Sequence, residues 1–163
     1  MMALQEPFMS MLCEQLYVEQ QLVETLPKLQ SEAGDSELTQ NLQHHLEETR
    51  EHVNRLEDAF RALGQEPKPR KSAVLDDLEK KHEKLMSETP KKLRDAVIAS
   101  SAAATEHNEI AAYDALICAA RAIGQKDVVG LLEQNLSQEQ EALQKAQKGI
   151  EKITKEHSKE LVA

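Results

Sequence analysis

The chain has 163 residues, 2% aromatic residues, no tryptophan and a formal charge of −9. That length suits one folded domain with its own core, residues 1–163. The acidic balance argues against nonspecific binding to nucleic acid or an anionic membrane, both of which need a basic surface. No apolar run approaches the ~18–20 residues that span a bilayer.

Ala, Leu, Glu, Gln and Lys dominate the chain, which has only five Gly and five Pro. This composition favours an all-α fold. The N-terminal stretch MMALQEPFMSMLC lacks a basic region and a cleavage site, so it reads as the start of a helix. Helix one is predicted over about 4–33, with a bend or local break at Pro27. Gly34 is its expected C-terminal stop. Asp35 or Ser36 then caps helix two, about 36–63, which Gly64 ends.

Pro67 and Pro69 exclude helix from 65–71. A short amphipathic helix follows at about 73–87, through Val74, Leu75, Leu78, Leu85 and Met86, and is expected to pack outside the bundle as part of a long crossover. Thr89 and Pro90 predict the start of helix three, about 90–123, with Pro at the first helical position. Gly124 stops it. Helix four runs over about 126–157, weakened slightly by Gly130 and Gly149. The tail is expected to fray. The architecture predicted is two antiparallel helix hairpins joined by the crossover.

Each long helix carries an apolar stripe interrupted by carboxylate. The stripes run Leu12, Leu16, Glu19, Val23, Leu26; Leu42, His45, Thr49, His52, Leu56, with Glu48 on the flank; Ala102, Glu106, Glu109, Tyr113, Leu116, Ala120; and Val129, Leu132, Leu136, Glu139, Leu143, Ala146, Ile150, Ile153. A lone ionised carboxylate facing an apolar core is costly unless it is protonated, paired or holding a cation. Depth supports the cation. Glu19 precedes Gly34 by 15 residues and Glu48 follows it by 14; Glu109 precedes Gly124 by 15 and Glu139 follows it by 15. In two hairpins these carboxylates meet at one height, roughly 22 Å from each turn at ~1.5 Å per residue.

Di-iron and di-manganese sites in bundles take one Glu from each of two helices and an i, i+3 Glu/His pair from each of the others. Here Glu19 and Glu139 are the single donors. His45 with Glu48, and Glu106 with Glu109, are the i, i+3 pairs. Such a carboxylate-rich set suits two iron or manganese ions better than zinc. His52 is either a competing ligand or a hydrogen-bonding support. Tyr113 either packs in the core or hydrogen-bonds to a ligand. His44 and His107 read as surface groups, and His82 and His157 as outside the core. Cys13 and Cys118 read as buried or half-buried free thiols in a reducing cytoplasm.

The stretches VEQQLVETLPKL (18–29), HLEETREHVNRLE (45–57), TEHNEIAAYDAL (105–116) and LLEQNLSQEQEAL (131–143) resemble the YciE/YciF-like family of the ferritin-like superfamily. The family usually has an aromatic residue where this chain has Asn108, and some members have Asp near Leu143. The resemblance implies a left-handed ferritin-like four-helix bundle, a homodimer, a di-metal centre like that of rubrerythrin relatives, and a link to bacterial stress. It implies no reaction. Two readings therefore stand. One is a metal-binding protein with redox chemistry toward oxygen or peroxide. The other is a metal-free structural or interaction bundle whose inward carboxylates are protonated or paired with Arg55, Arg61 or Arg121. A coiled-coil scaffold is weaker, because Gly34, Gly64 and Gly124 cut the stripes into hairpin lengths.

Overall fold

A computed structural model describes residues 2–162. The helices are α1 (Met2–Glu32), α2 (Ser36–Ala62), α3 (Ala73–Glu88), α4 (Arg94–Ala122), α5 (Lys126–Glu156) and α6 (Ser158–Leu161). The pairs α1/α2 and α4/α5 pack as hairpins, α2 lies against α5, α1 against α4, and α3 against α4. The bundle is thus the predicted one, two antiparallel hairpins with α3 in the crossover.

Among the described residues the core comes in two apolar clusters, and their order along the chain inverts within each hairpin. One cluster takes Phe8, Leu12 and Leu16 from α1, Leu56 and Phe60 from α2, Leu116 and Ala120 from α4, and Val128 and Leu132 from α5. The other takes Leu22 and Leu26, then Leu38 and Leu42, then Ile98, then Ile153, with Leu75 from α3 closing it. Antiparallel neighbours demand this inversion. Between the clusters, at mid-height, sit Gln15, Glu19, His45, Thr49, His52, Glu106, Glu109, Asn135 and Glu139, all buried.

The helix ends show how the chain sets this height. Gly64 and Gly124 adopt φ of +68° and +76°, the left-handed conformation that ends a helix at little cost for glycine. Gly34 works differently. Its φ is not in that region; instead its N–H donates to Asp95 Oδ1 and that of Asp35 donates to Asp95 Oδ2, both at 2.8 Å. A Cβ at Gly34 would lie 3.3 Å from Asp95 Oδ2, so the glycine is there for close approach. Asp35 caps α2 by accepting from Leu38 N at 2.8 Å.

Four expectations change. α1 runs unbroken through Pro27, because buried Leu22, Leu26 and Leu29 anchor both sides of it. Pro90, with ψ of 142°, is not the first residue of α4; Lys91–Leu93 form a 3-10 turn and the helix begins at Arg94. The tail carries a further helical turn, α6. Cys118 is exposed, whereas Cys13 is half-buried as expected. Among the described residues, no helix is long and apolar enough to cross a membrane.

Candidate metal centre

α2 presents His45, Thr49 and His52 inward. Seven residues nearly complete two helical turns, so the two histidines lie within about 20° of each other around the axis. Glu48, three residues from His45, is about 60° off that line. Thr49 leaves its neighbours free by donating to the His45 carbonyl of its own helix, at 2.8 Å. Two groups of donors result. His45, Glu106, Glu109 and Glu139 each bring one ligand atom within 4.8 Å of the others, and so do Glu19, His52 and Glu139. Glu139 belongs to both.

The distances define the centre. His45 Nε2 lies 2.9 Å from Glu106 Oε1 and 3.8 Å from Glu139 Oε2. His52 Nδ1 lies 2.8 Å from Glu139 Oε1 and 3.3 Å from Glu19 Oε1. These approaches are close, yet they are misaligned for hydrogen bonding. Among the described residues, the buried side-chain nitrogens and oxygens without a hydrogen-bond partner all belong to Glu19, His45, His52, Glu106, Glu109 and Glu139.

A polar network, of which the stripes included only Tyr113, surrounds these groups. Gln15 Nε2 donates to Glu109 Oε1 at 3.2 Å and to Glu19 Oε1 at 3.5 Å. Tyr113 donates its hydroxyl hydrogen to Glu19 Oε1 and accepts from Asn135 Nδ2 at 3.0 Å. Arg55 Nη1 donates to Asn135 Oδ1 at 3.1 Å and to Gln138 Oε1 at 2.8 Å. An arginine only donates, so this contact sets the Gln138 amide with its oxygen inward. His52 Nε2, 2.9 Å from the same oxygen, must then carry the proton. The signal for Gln15 and Asn135 was spacing: each precedes a buried glutamate by four residues, one turn away on the same face.

The electrostatics follow from burying four carboxylates with two imidazoles. Burial, then the charges of Glu139, Glu19 and Glu106, push the Glu109 carboxyl well above the ordinary range. Burial and the neighbouring Glu106 and Glu19 do the same to Glu139. Burial alone would lower the histidines, but adjacent carboxylates reverse it. Glu106 is the foremost for His45, which is raised well above its usual value. Glu19 and Glu139 raise His52 to about 10. Burial would also raise Glu106, but His45 holds it below the ordinary carboxylate range.

Of the residues singled out in the sequence, Glu19, His45, Glu106, Glu109 and Glu139 come together in these groups. His52 joins them in the second group. Tyr113 touches Glu19 through its hydroxyl. Glu48 lies outside both groups, its oxygens 3.1 Å from His44 Nε2 and 3.6 Å from His45 Nδ1. The arginines suggested as partners do not pair with the inward carboxylates. Arg55 pairs with Glu51, Arg61 with Glu57 and Asp58, and Arg121 with Glu133. Arg61 and Arg121 find carboxylates on their own helix or across the nearby turn, and Arg55 reaches inward only as far as the amides of Asn135 and Gln138.

Comparison with known proteins agrees with this architecture. Protein YciF of Escherichia coli (strain K12) is 28% identical over 141 residues, 85% of each chain. The crystal structure of the E. coli stress protein YciF superposes with a TM-score of 0.88 at 25% identity, covering 95% of this chain and 99% of that one. YcfI of Rhodopseudomonas palustris gives 0.86 at 36% identity, covering 88% and 92%. Residues 3–159 match the family described as "Domain of unknown function (DUF892)", and the chain belongs to that family.

Proposed function

We propose that this protein is a ferritin-like metal-binding protein whose mid-bundle centre holds two iron or manganese ions. The observation that carries the reading is the set of buried, unpartnered donor atoms, all from six residues, converging on two adjoining positions. In an apolar interior such atoms are costly to leave unsatisfied. His52 makes the point sharply. Its proton is on Nε2, so the neutral ring turns a bare Nδ1 lone pair toward two carboxylate oxygens. Only a second proton or a cation relieves that repulsion. The carboxylates of Glu19, Glu106, Glu109 and Glu139 carry four negative charges when ionised, which two divalent cations cancel.

A pair of iron or manganese ions would supply redox chemistry toward oxygen or peroxide. Glu139, common to both groups, would contribute to holding both ions. His45 and His52 would be the nitrogen donors of the two positions. Gln138 orients His52, Gln15 steadies Glu109 and Glu19, and the Tyr113 hydroxyl holds Glu19 Oε1. The E. coli relative is called a stress protein; a stress-related role for this chain extends that description.

Elemental mass spectrometry of the purified protein, with and without added ferrous iron, tests the reading. The expected result is about two ions per chain, lost in a Glu19→Ala/Glu139→Ala double variant that keeps its helices. A folded protein that takes up no transition metal after loading overturns it. The second reading, a metal-free bundle, draws on the proximity of His45 to Glu106 and of His52 to Glu139. It predicts stability indifferent to chelators.

A further inference from the structure

A line of donors leads from the surface to the buried centre. His44 is exposed, its side chain 52% accessible, and its Nε2 lies 3.1 Å from Glu48 Oε1. The other Glu48 oxygen lies 3.6 Å from His45 Nδ1. That nitrogen is buried and has no hydrogen-bond partner. On the far side of the same ring, Nε2 lies 2.9 Å from Glu106 Oε1.

These residues line one cleft between α2, α4 and α5. Small side chains, Ala102, Ala142 and Ala146, keep its walls apart, leaving a cavity of about 40 Å³. That is room for a water or a bare ion. Asp35, Glu37, Glu48 and Glu106 outnumber the two lysines on its walls. Of those lysines, Lys152 is paired with Asp35 and Glu37, each at 3.1 Å, which leaves Glu48 and Glu106 against Lys145. The cleft therefore favours cations.

A wider groove of about 280 Å³ between α1, α3 and α4 also reaches Glu106. Several of its polar groups are engaged with one another: Thr25 donates to Glu79 at 3.3 Å and His82 Nδ1 meets Ser101 at 2.8 Å. It reaches neither histidine of the centre.

We propose that His44 and Glu48 form a loading site for divalent cations, from which Glu48 passes the ion inward past His45 to Glu106. The inference rests on the metal centre proposed above. Two protein donors completed by water hold an ion weakly, as transit requires. Glu48 thereby gains a role that its position outside both donor groups leaves open.

The test compares loading rate with equilibrium binding of cobalt(II) by the full metal-free chain. Stopped-flow absorption follows filling of the buried centre, and titration gives stoichiometry and affinity. His44→Ala and Glu48→Gln are each expected to slow loading by about tenfold or more while affinity and stoichiometry hold. Glu79→Gln, on the other groove, is expected to load at the wild-type rate. Unchanged rates in both cleft variants overturn the proposal, as does slowing confined to Glu79→Gln. A fall in equilibrium affinity in Glu48→Gln also overturns it, by making Glu48 part of the centre. If wild-type protein binds no cobalt at equilibrium, the metal centre itself fails, an outcome distinct from unchanged rates.

Discussion

His52 Nδ1 stands 2.8 Å from Glu139 Oε1, while the other oxygen of that carboxylate stands 3.8 Å from His45 Nε2. One side chain from α5 thus faces two histidines a helical heptad apart on α2. The geometry separates the expected effects of substitution. His52→Ala should leave about one ion per chain, and so should His45→Ala, whereas Glu139→Ala should lose both. Elemental analysis of the three variants, each checked for helicity, reads this directly. Equal losses in all three would refute separate positions sharing one carboxylate.

Metal should stabilise the fold, because the buried donors are organised only in the native state. At a free ion concentration 100 times the dissociation constant, the gain is about 2.7 kcal/mol. For a domain of this size that is a rise of roughly 5–11 °C in Tm. Calorimetry before and after chelation measures it. A melting temperature insensitive to chelator supports the metal-free reading.

The metal-free protein should lose stability as pH rises. Glu109 and Glu139 have folded-state pKa values above their ordinary 4.5, so their contribution is full below that value and declines above it. His52 acts in the same sense: its contribution is full below 6.5 and is lost as pH rises through about 10. Below 4.5 the depressed Glu48 and Glu106 oppose this, since their contribution is lost as pH falls. The denaturation midpoint of metal-free protein should therefore be higher at about pH 5.5 than at about pH 8.5. With metal the order should reverse, because ions compete with protons for the same donors.

Tyr113→Phe removes one oxygen and keeps the ring packed in the core. It leaves Glu19 Oε1 without its hydroxyl donor and Asn135 Nδ2 without one acceptor. The expected cost is about 1–3 kcal/mol in urea unfolding. A neutral result would mean that water takes the place of the hydroxyl.

Asp95→Ala cuts the clasp between the start of α4 and the α1–α2 turn. The backbone N–H groups of Gly34 and Asp35 both lose their acceptor. Destabilisation of about 1–2 kcal/mol is expected, and hydrogen exchange should quicken at those two amides. Protection equal to wild type would show that the turn holds without the clasp.

Much of the architecture was legible because it depends on local rules. Helical periodicity and the nearly equal spacings of Glu19 from Gly34 and of Glu109 and Glu139 from Gly124 placed an acidic layer at mid-height before any contact was known. The stripe on α2 already ran through His45, Thr49 and His52, with Glu48 on its flank. What periodicity left open was how far each helix rotates about its axis. Neighbouring helices decide that rotation, and it leaves Glu48 outside both donor groups while Glu106 and Glu109, at the same three-residue spacing, both lie inside one. Gly34 was misjudged for a related reason: its constraint is a carboxylate 61 positions away. Sequence alone determined the helices, their stops and the depth of the buried charge, because these follow from spacing along one chain. Only the tertiary structure decided that His52 faces Glu139, that Gln15, Asn135 and Gln138 hydrogen-bond around the buried donor groups, and that Glu48 lies outside them, because packing between helices sets which face turns inward.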